Sequence, residues 1–216
     1  MNEAGWREAW AAWSYRTALG AGVLLALTLA ACLPFFFALL QQRPGSMPFD
    51  PVLARFAAVD VTVPVFVVLY AGVAAGIALL ARKPLRLLHM VWAYALLLVL
   101  RMCTMYLFTF EPPAGIIPLQ DPVTALFYPG GVPFLKDLFF SGHTATLVLF
   151  GLAVGPGRAR LALWVLAAAV GALVMAQHVH WTVDVVAAPF FAALAWWMAC
   201  RLMQRLGLSF SVSAGA

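Results

Sequence analysis

Residues 17–40 read TALGAGVLLALTLAACLPFFFALL, an unbroken run without a charged side chain. A helix of this length reaches about 36 Å at ~1.5 Å per residue, enough to cross the ~30 Å hydrocarbon core of a bilayer. Five further apolar runs follow, at residues 62–81, 87–110, 138–154, 161–177 and 181–203. The sequence therefore predicts an all-α, polytopic membrane protein with six transmembrane helices.

The composition also indicates that the bilayer is the solvent of this chain. It is 65% hydrophobic and 10% charged, with a mean hydropathy of +0.96, whereas soluble domains carry roughly 25% charged residues. The net charge of +5 is held in short basic clusters between the apolar runs. That pattern is typical of membrane topology and lipid contact, so we expect a bilayer partner and no nucleic acid.

Three regions divide the chain. Trp6, Trp10 and Trp13 recur at i, i+4 and i+7, which predicts that residues 1–16 form an amphipathic helix in the membrane interface. We expect the six-helix membrane domain over residues 17–206. The remaining residues, 207–216, are predicted to form a flexible C-terminal tail.

The distribution of Lys and Arg predicts the orientation. Both terminal regions and the loops at residues 82–86 and 158–160 are basic, whereas residues 111–137 contain a single basic residue, Lys136. Cytoplasmic loops carry the excess of positive charge. We therefore expect cytoplasmic N- and C-termini, with the starts of the fourth and sixth runs on the extracytoplasmic side.

This topology brings ionisable residues from separate runs to one face of the membrane. His143 opens the fourth run, His180 and Asp184 open the sixth, and Arg101 lies in the outer half of the third. Because ionisable groups are costly within membrane spans, they tend to mark functional sites. His180 and Asp184, at i and i+4, share a helical face, so the carboxylate can hold one imidazole nitrogen and leave the other as a nucleophile or base.

His143 can supply the complementary proton transfer to a leaving oxygen. Ser141 and Gly142 before it suit a capped helix start, whose free N–H groups and positive dipole end favour a phosphate oxygen. Two histidines, an orienting aspartate and an anion site form a set suited to phosphoryl transfer through a covalent histidine intermediate.

Metal chemistry has little support in the sequence. The three cysteines are far apart and lack metal-ligand spacing with histidine. His178 and His180 are at i and i+2, which point to different sides of a helix. We predict no metal and no cofactor.

Four stretches are similar to motifs of a known family. Residues 136–144, KDLFFSGHT, and 180–185, HWTVDV, resemble the two catalytic motifs of the type 2 phosphatidic acid phosphatase superfamily. They most closely resemble the motifs D-x3-S-G-H-T and H-Y-T-x-D-V of its sphingomyelin synthase-related branch. Residues 101–109, RMCTMYLFT, are similar to the branch motif R-x-x-T-M-Y-x-x-T, and residues 48–50, PFD, resemble its first-loop motif P-L-P-D. The resemblance covers most of residues 47–190.

The resemblance implies six transmembrane helices and a metal-independent reaction on the extracytoplasmic face. It implies that His180 attacks phosphorus with help from Asp184, and that His143 protonates the leaving group. The phosphoryl group, with or without a headgroup, then passes to a lipid hydroxyl or to water. Substrate or phosphate contacts are expected from the neighbouring motif residues Arg101, Tyr106, Lys136, Asp137, Ser141, Gly142 and Thr144.

One departure from the wider superfamily bears on the substrate. The phosphatases of the superfamily have an arginine six residues before the second histidine, where this chain has Val174. Arg101 and Lys136 are the cations expected near the site, and a phosphomonoester dianion needs more positive charge than a phosphodiester monoanion. The sequence therefore favours an intact phospholipid. It leaves open the headgroup, which is choline, ethanolamine or another group, and the acceptor, which is ceramide, diacylglycerol or water.

Two other functions stay open at this point. One is a lipid phosphate phosphatase with the same chemistry on phosphomonoesters. The other is a non-catalytic lipid transporter or lipid-binding protein, which inverted repeats or broken helices would favour. We find neither feature clearly, and the intact His143, His180 and Asp184 favour an enzyme. The sequence does not indicate an oligomeric state.

Overall fold

The computed structural model describes residues 5–119 and 135–208, and these residues form helices and no strand. A short 3-10 helix at Leu53–Arg55 lies in the first loop. The all-α class is thus confirmed. In chain order the described α-helices are α1 (Trp6–Ala11), α2 (Trp13–Gln41), α3 (Thr62–Leu80), α4 (Pro84–Leu107), α5 (Gly142–Val154), α6 (Arg158–Ala176) and α7 (Thr182–Arg205).

Five of these helices, namely α2, α3, α4, α6 and α7, are long and apolar enough to cross a membrane. The 13 residues of α5 reach only about 20 Å, less than the hydrocarbon thickness. The chain is therefore a polytopic helical membrane protein by length and composition, and the count of six spans stays a prediction.

The short helix α5 is the centre of the bundle. It packs against α3, α4, α6 and α7, and most of its side chains are buried. A helix that is apolar on all sides is stable when other helices surround it. Because protein encloses α5, its polar first turn can lie at depth without contacting lipid.

Small residues allow the helices to approach α5 closely. A Cβ atom on Gly72 of α3 would lie 2.6 Å from the Leu147 side chain of α5. Small residues at intervals of four are typical of helix contacts within membranes. On α7 a fully buried stripe of alanines serves the same purpose, at Ala188, Ala192, Ala195 and Ala199.

The N-terminal segment differs from the predicted single helix. Ala12 is extended (φ −76°, ψ 119°) and separates α1 from α2, so Trp13 is not on the helix that carries Trp6 and Trp10. The expectation of one helix through all three tryptophans is wrong, because α1 docks on the α3–α4 turn through a 2.6 Å hydrogen bond from Trp6 Nε1 to Ala81 O. Residues 1–4 lie outside the described residues, and the interfacial location stays a prediction.

Two other helices begin at residues different from the predicted ones, for local reasons. Helix α4 begins at Pro84, before the predicted residue 87, because proline is favoured at the first helical position. The fourth apolar run becomes helical only at Gly142, since Ser141 is its N-cap. Of the predicted tail, residues 209–216 lie outside the described part of the chain.

The bundle has two ends. The histidine end is defined by the C-termini of α2, α4 and α6 and the N-termini of α3, α5 and α7. Contacts such as Gln177 Nε2 to Thr62 Oγ1 at 2.9 Å join these termini. The basic end holds the opposite termini, where Tyr15 donates a hydrogen bond to Pro84 O at 3.2 Å.

Candidate active site

His180, just before the N-cap of α7, contacts Asp184 in the first turn of that helix. His180 Nδ1 lies 3.2 Å from Asp184 Oδ2, and both side chains are buried. A carboxylate accepts hydrogen bonds, so Nδ1 is the nitrogen that carries the proton. The described residues provide no hydrogen-bond partner for Nε2, which leaves its lone pair available for attack.

The backbone fixes Asp184 in this position. Its Oδ2 atom accepts a 3.0 Å hydrogen bond from the backbone N–H of Trp181, the N-cap of α7. An acidic residue at the third helical position that reaches back to the N-cap is half of a capping box. Within the described part of the chain, Oδ1 is buried without a hydrogen-bond partner.

His143 lies beside this pair on the first turn of α5. The ring centroids of His143 and His180 are 6.3 Å apart, at an interplanar angle of 66°. The Phe66 ring of α3 packs on the edge of His143 at 6.2 Å. Side chains from α5 and from the segment just before α7, far apart in sequence, therefore lie side by side.

Ser141 connects the starts of the two histidine helices. It caps α5 by accepting the Thr144 N–H at 3.4 Å, and Thr144 Oγ1 donates to the same hydroxyl at 3.2 Å. Its own N–H donates to the backbone oxygen of Asp184 at 3.0 Å. Both Ser141 and Thr144 are buried. Their contacts fix the start of α5 relative to the start of α7.

Arg101 reaches the start of α5 from α4. Its guanidinium donates to Phe140 O and forms an ion pair with Asp137. A Cβ atom on Gly142 would lie 2.6 Å from Arg101 Nη1, so a larger residue here would displace the guanidinium. The nearby Thr104 hydroxyl donates to Phe139 O at 3.0 Å and ties α4 to the same motif.

Two predicted contact residues make other interactions. Lys136 Nζ donates to Glu111 Oε1 at 2.8 Å and to Arg43 O at 2.7 Å. Tyr106 is half exposed, with the Arg43 guanidinium 4.1 Å from its ring centroid. The structure brings neither side chain into contact with the two histidines, and their predicted phosphate contacts stay predictions.

Gln177 and His178 fix the turn before His180, and their structural roles were not predicted. Gln177 is fully buried, accepts the Val61 N–H at 3.1 Å and donates to Ile117 O at 3.1 Å. His178 Nδ1 faces Ala114 O at 2.9 Å. The sequence signal was slight, because a lone glutamine at the end of an apolar run is no motif.

The charges of the described residues divide unequally between the two ends. The histidine end contains Arg43, Arg55, Arg101 and Lys136 together with Asp50, Asp60, Glu111, Asp137 and Asp184. The basic end has Glu8 as its acidic residue among many cations, namely Arg7, Arg16, Arg82, Lys83, Arg86, Arg158, Arg160, Arg201 and Arg205.

Hydrogen bonds and ion pairs also set the acidity of the outlying carboxyls. The hydrogen bond from Lys136, and then that from the Gly45 N–H, hold the pKa of Glu111 below its usual value. The hydrogen bonds from Thr62 lower the pKa of Asp60. Throughout residues 5–119 and 135–208, no three His, Cys, Asp or Glu side chains converge as a metal site.

Comparison with known proteins gives a family match. Residues 136–201 match the family model for the C-terminal region of the PAP2 (type 2 phosphatidic acid phosphatase) superfamily. No curated protein and no solved structure gives a significant match. The matched region contains α5, α6 and most of α7, with His143, His180 and Asp184. The match supports the PAP2 superfamily, whose members are generally phosphatases or phosphotransferases.

Proposed function

We propose that this protein is a membrane-embedded lipid phosphotransferase or phosphohydrolase of the PAP2 superfamily, similar to the sphingomyelin synthase-related branch. The observation that carries the proposal is the 6.3 Å separation of the His143 and His180 rings, with Asp184 3.2 Å from His180. A nucleophile, an orienting carboxylate and a second imidazole within reach are the parts of a covalent transfer reaction.

In the first half of the reaction, Nε2 of His180 attacks the phosphorus of a phospholipid. A nitrogen–phosphorus bond forms, and the bond from phosphorus to the lipid-backbone oxygen breaks. His143 gives a proton to that oxygen as it leaves. Asp184 keeps the proton on Nδ1 and stabilises the positive charge that develops on the imidazole.

In the second half, a hydroxyl of a lipid or of water attacks the phosphohistidine. His143 takes the proton of that hydroxyl as a general base, the nitrogen–phosphorus bond breaks and His180 returns to its starting form. The N-terminus of α5 provides positive potential for the phosphoryl oxygens, and Arg101, partly neutralised by Asp137, adds to it.

A phosphodiester is the substrate class that fits the charges of the site. Arg101 is paired with Asp137, and Lys136 is paired with Glu111. These pairs leave little uncompensated positive charge for a dianion, and a phosphomonoester carries about −1.5 to −2. A phosphodiester carries a single negative charge, so an intact phospholipid headgroup is the better match.

The orientation follows from the charge difference between the two ends. Cytoplasmic segments carry the excess of Lys and Arg, and the basic end holds that excess. We infer that the histidine end faces the extracytoplasmic side, with both chain termini in the cytoplasm.

The test is lipid turnover by the purified protein in a phospholipid nanodisc. We expect exchange or release of a labelled headgroup from a phosphodiester lipid, and slower release of phosphate from phosphatidate. His180→Ala lowers this turnover by about 10³-fold or more, and His143→Ala by about 10²–10⁴-fold.

The matched control is His89→Ala, because His89 is a buried histidine near the basic end. The folded fraction of the His89→Ala variant should turn over lipid at the wild-type rate. Faster turnover of phosphatidate than of any diester would support the phosphatase instead. Lipid movement between leaflets that persists in His180→Ala, with no turnover by the wild type, would support a transporter.

A further inference from the structure

The first loop, between α2 and α3, reaches the start of α7 through Asp50. Oδ2 of Asp50 accepts the backbone N–H of Thr182 at 2.7 Å, and Oδ1 accepts the Thr182 hydroxyl at 3.0 Å. The two residues are 132 positions apart in the chain. The contact is therefore made by the assembled bundle and not by local chain geometry.

Helix α7 lacks an acceptor of its own at this position. The first N–H groups of a helix have no partner within it, and the N-cap, Trp181, has an indole that can only donate. That indole N–H goes to Glu111 O at 3.0 Å. Asp50 thus supplies, from another segment, an acceptor for the first helical N–H, which an N-cap side chain does not serve because it accepts from the second or third helical residue.

The ionised form of Asp50 suits this position. Partial burial raises the pKa of Asp50, but hydrogen bonds from Thr182, Leu53 and Val52 outweigh burial and leave the pKa below its usual value. A carboxylate anion also interacts favourably with the positive end of the α7 dipole.

Two carboxylates share the first turn of α7. Asp50 takes the N–H of Thr182, and Asp184 takes the N–H of Trp181 and the imidazole of His180. Without Asp50, the Thr182 N–H would be left unpaired beside Asp184. It would then compete with the imidazole for the carboxylate that sets the tautomer.

The loop that carries Asp50 is itself anchored at the site. Oδ1 of Asp50 accepts the backbone N–H groups of Val52 and Leu53 at 3.0 and 3.1 Å. The Leu53 side chain is buried in an apolar cluster with Leu138 and Trp181. These two residues precede the starts of α5 and α7, so the first loop contacts both histidine-bearing segments.

We propose that Asp50 is a positioning residue for His180, which fixes the first turn of α7 and thereby the direction of the imidazole towards phosphorus. The proposal rests on the proposed function of His180 as the nucleophile. Asp50 does not touch substrate. It influences His180 through Thr182 and the start of α7.

The chain offers a matched control in Asp60. Its Oδ1 accepts the Thr62 N–H at 3.0 Å and so caps α3 within its own segment, at the same end of the bundle. Asp50→Asn and Asp60→Asn each turn one carboxylate oxygen into an N–H donor and weaken one cap. If each carboxylate only stabilised its own helix start, both variants would keep wild-type kcat in the protein that folds.

Steady-state turnover of a labelled phospholipid in nanodiscs is the first readout. We expect Asp50→Asn to lower kcat by about 10- to 100-fold with KM unchanged, and Asp60→Asn to keep wild-type kcat. Thr182→Val, which loses the hydroxyl contact and keeps the N–H contact, should lower kcat less than Asp50→Asn does. Thr182→Ser, which keeps both contacts, should restore wild-type kcat.

Hydrogen exchange is the second readout and does not depend on activity. The amides of residues 180–185 should exchange faster in Asp50→Asn and at the wild-type rate in Asp60→Asn. Equal kcat in the two variants, or unchanged exchange at residues 180–185 in Asp50→Asn, would overturn the inference. Wild-type turnover in His180→Ala would remove the proposed function instead, and the exchange comparison would still decide whether Asp50 fixes α7.

Discussion

At the residue scale, one carboxylate oxygen contacts both the start of α7 and the imidazole of the proposed nucleophile. Asp184 Oδ2 accepts the Trp181 N–H at 3.0 Å and lies 3.2 Å from His180 Nδ1. The same atom therefore fixes the helix start and the imidazole tautomer. Oδ1 is buried and unpartnered among the described residues, and in the proposed reaction the carboxylate stabilises the imidazole as it becomes positive.

Gly142 provides a prediction at this scale. In Gly142→Ala the new Cβ would lie 2.6 Å from Arg101 Nη1 and 2.9 Å from Cζ, so the guanidinium must move. Overpacking of this kind costs about 1–3 kcal/mol, and a shift of the α5 start lowers turnover by about 100-fold. Thermal unfolding and lipid turnover of the purified variant measure both effects.

The control for this variant is Gly20→Ala. A Cβ on Gly20 of α2 meets no atom within 4 Å, and alanine is the better helix former by about 1 kcal/mol. Gly20→Ala should keep wild-type turnover and melt no earlier. If Gly142→Ala also behaved as the wild type, the packing of Arg101 on the α5 start would not matter for the site.

At the element scale, loops from three parts of the chain hold the histidine end together. Lys136 donates to Glu111, and the Gly45 N–H donates to the same carboxylate oxygen at 2.8 Å. Ser46 and Phe110 pair as an isolated parallel bridge beside them. The segment before α5 is thus tied to the segments that follow α2 and α4.

The Glu111 contacts predict a pH-dependent stability. A carboxyl whose folded pKa is lowered stabilises the fold above its unfolded pKa, and this contribution is lost as the pH falls through the folded pKa. Lys136, and then Gly45, lower the pKa of Glu111. Wild-type protein should therefore melt at a higher temperature than Glu111→Gln at neutral pH, and the difference should vanish in acid. Melting curves in detergent between about pH 7 and about pH 3 measure it; a difference that is constant with pH would contradict the assignment.

Elements that depend on local patterns could be predicted from the sequence. Apolar runs predicted the helices and Ser141 predicted the α5 cap. The His180–Asp184 contact forms as expected, but the shared helical face was wrong, because His180 lies before the N-cap of α7 and Asp184 reaches back to it. Contacts between loops could not be predicted, because no periodicity encodes which loops meet. The Asp50–Thr182 and Lys136–Glu111 contacts and the helix break at Ala12 belong to that second class.

At the whole-molecule scale, the separation of charge between the two ends predicts the topology. In a background without Cys32, Cys103 and Cys200, single cysteines are placed at exposed positions of the two ends, as Ala57→Cys and Arg82→Cys. A membrane-impermeant maleimide should label position 57 in intact cells and position 82 only after permeabilisation. The opposite labelling pattern would place the histidine end in the cytoplasm.

Enclosure of α5 by four helices explains how a polar site can exist in so apolar a chain. The bundle shields its first turn from lipid, and in the proposed reaction protein dipoles there take the place of water around the phosphoryl group. The proposed function requires that lipid tails remain in the bilayer while the headgroup phosphate enters at the histidine end.

Direct detection of a phosphoryl group on His180 tests this account most closely. The wild-type protein is mixed with a phospholipid labelled in its headgroup phosphate, quenched in alkali, in which phosphohistidine survives, and analysed as peptides by mass spectrometry. We predict label on His180 and its absence in His180→Ala. Label on His143 instead, or turnover that leaves His180 unlabelled at every quench time, would contradict the account.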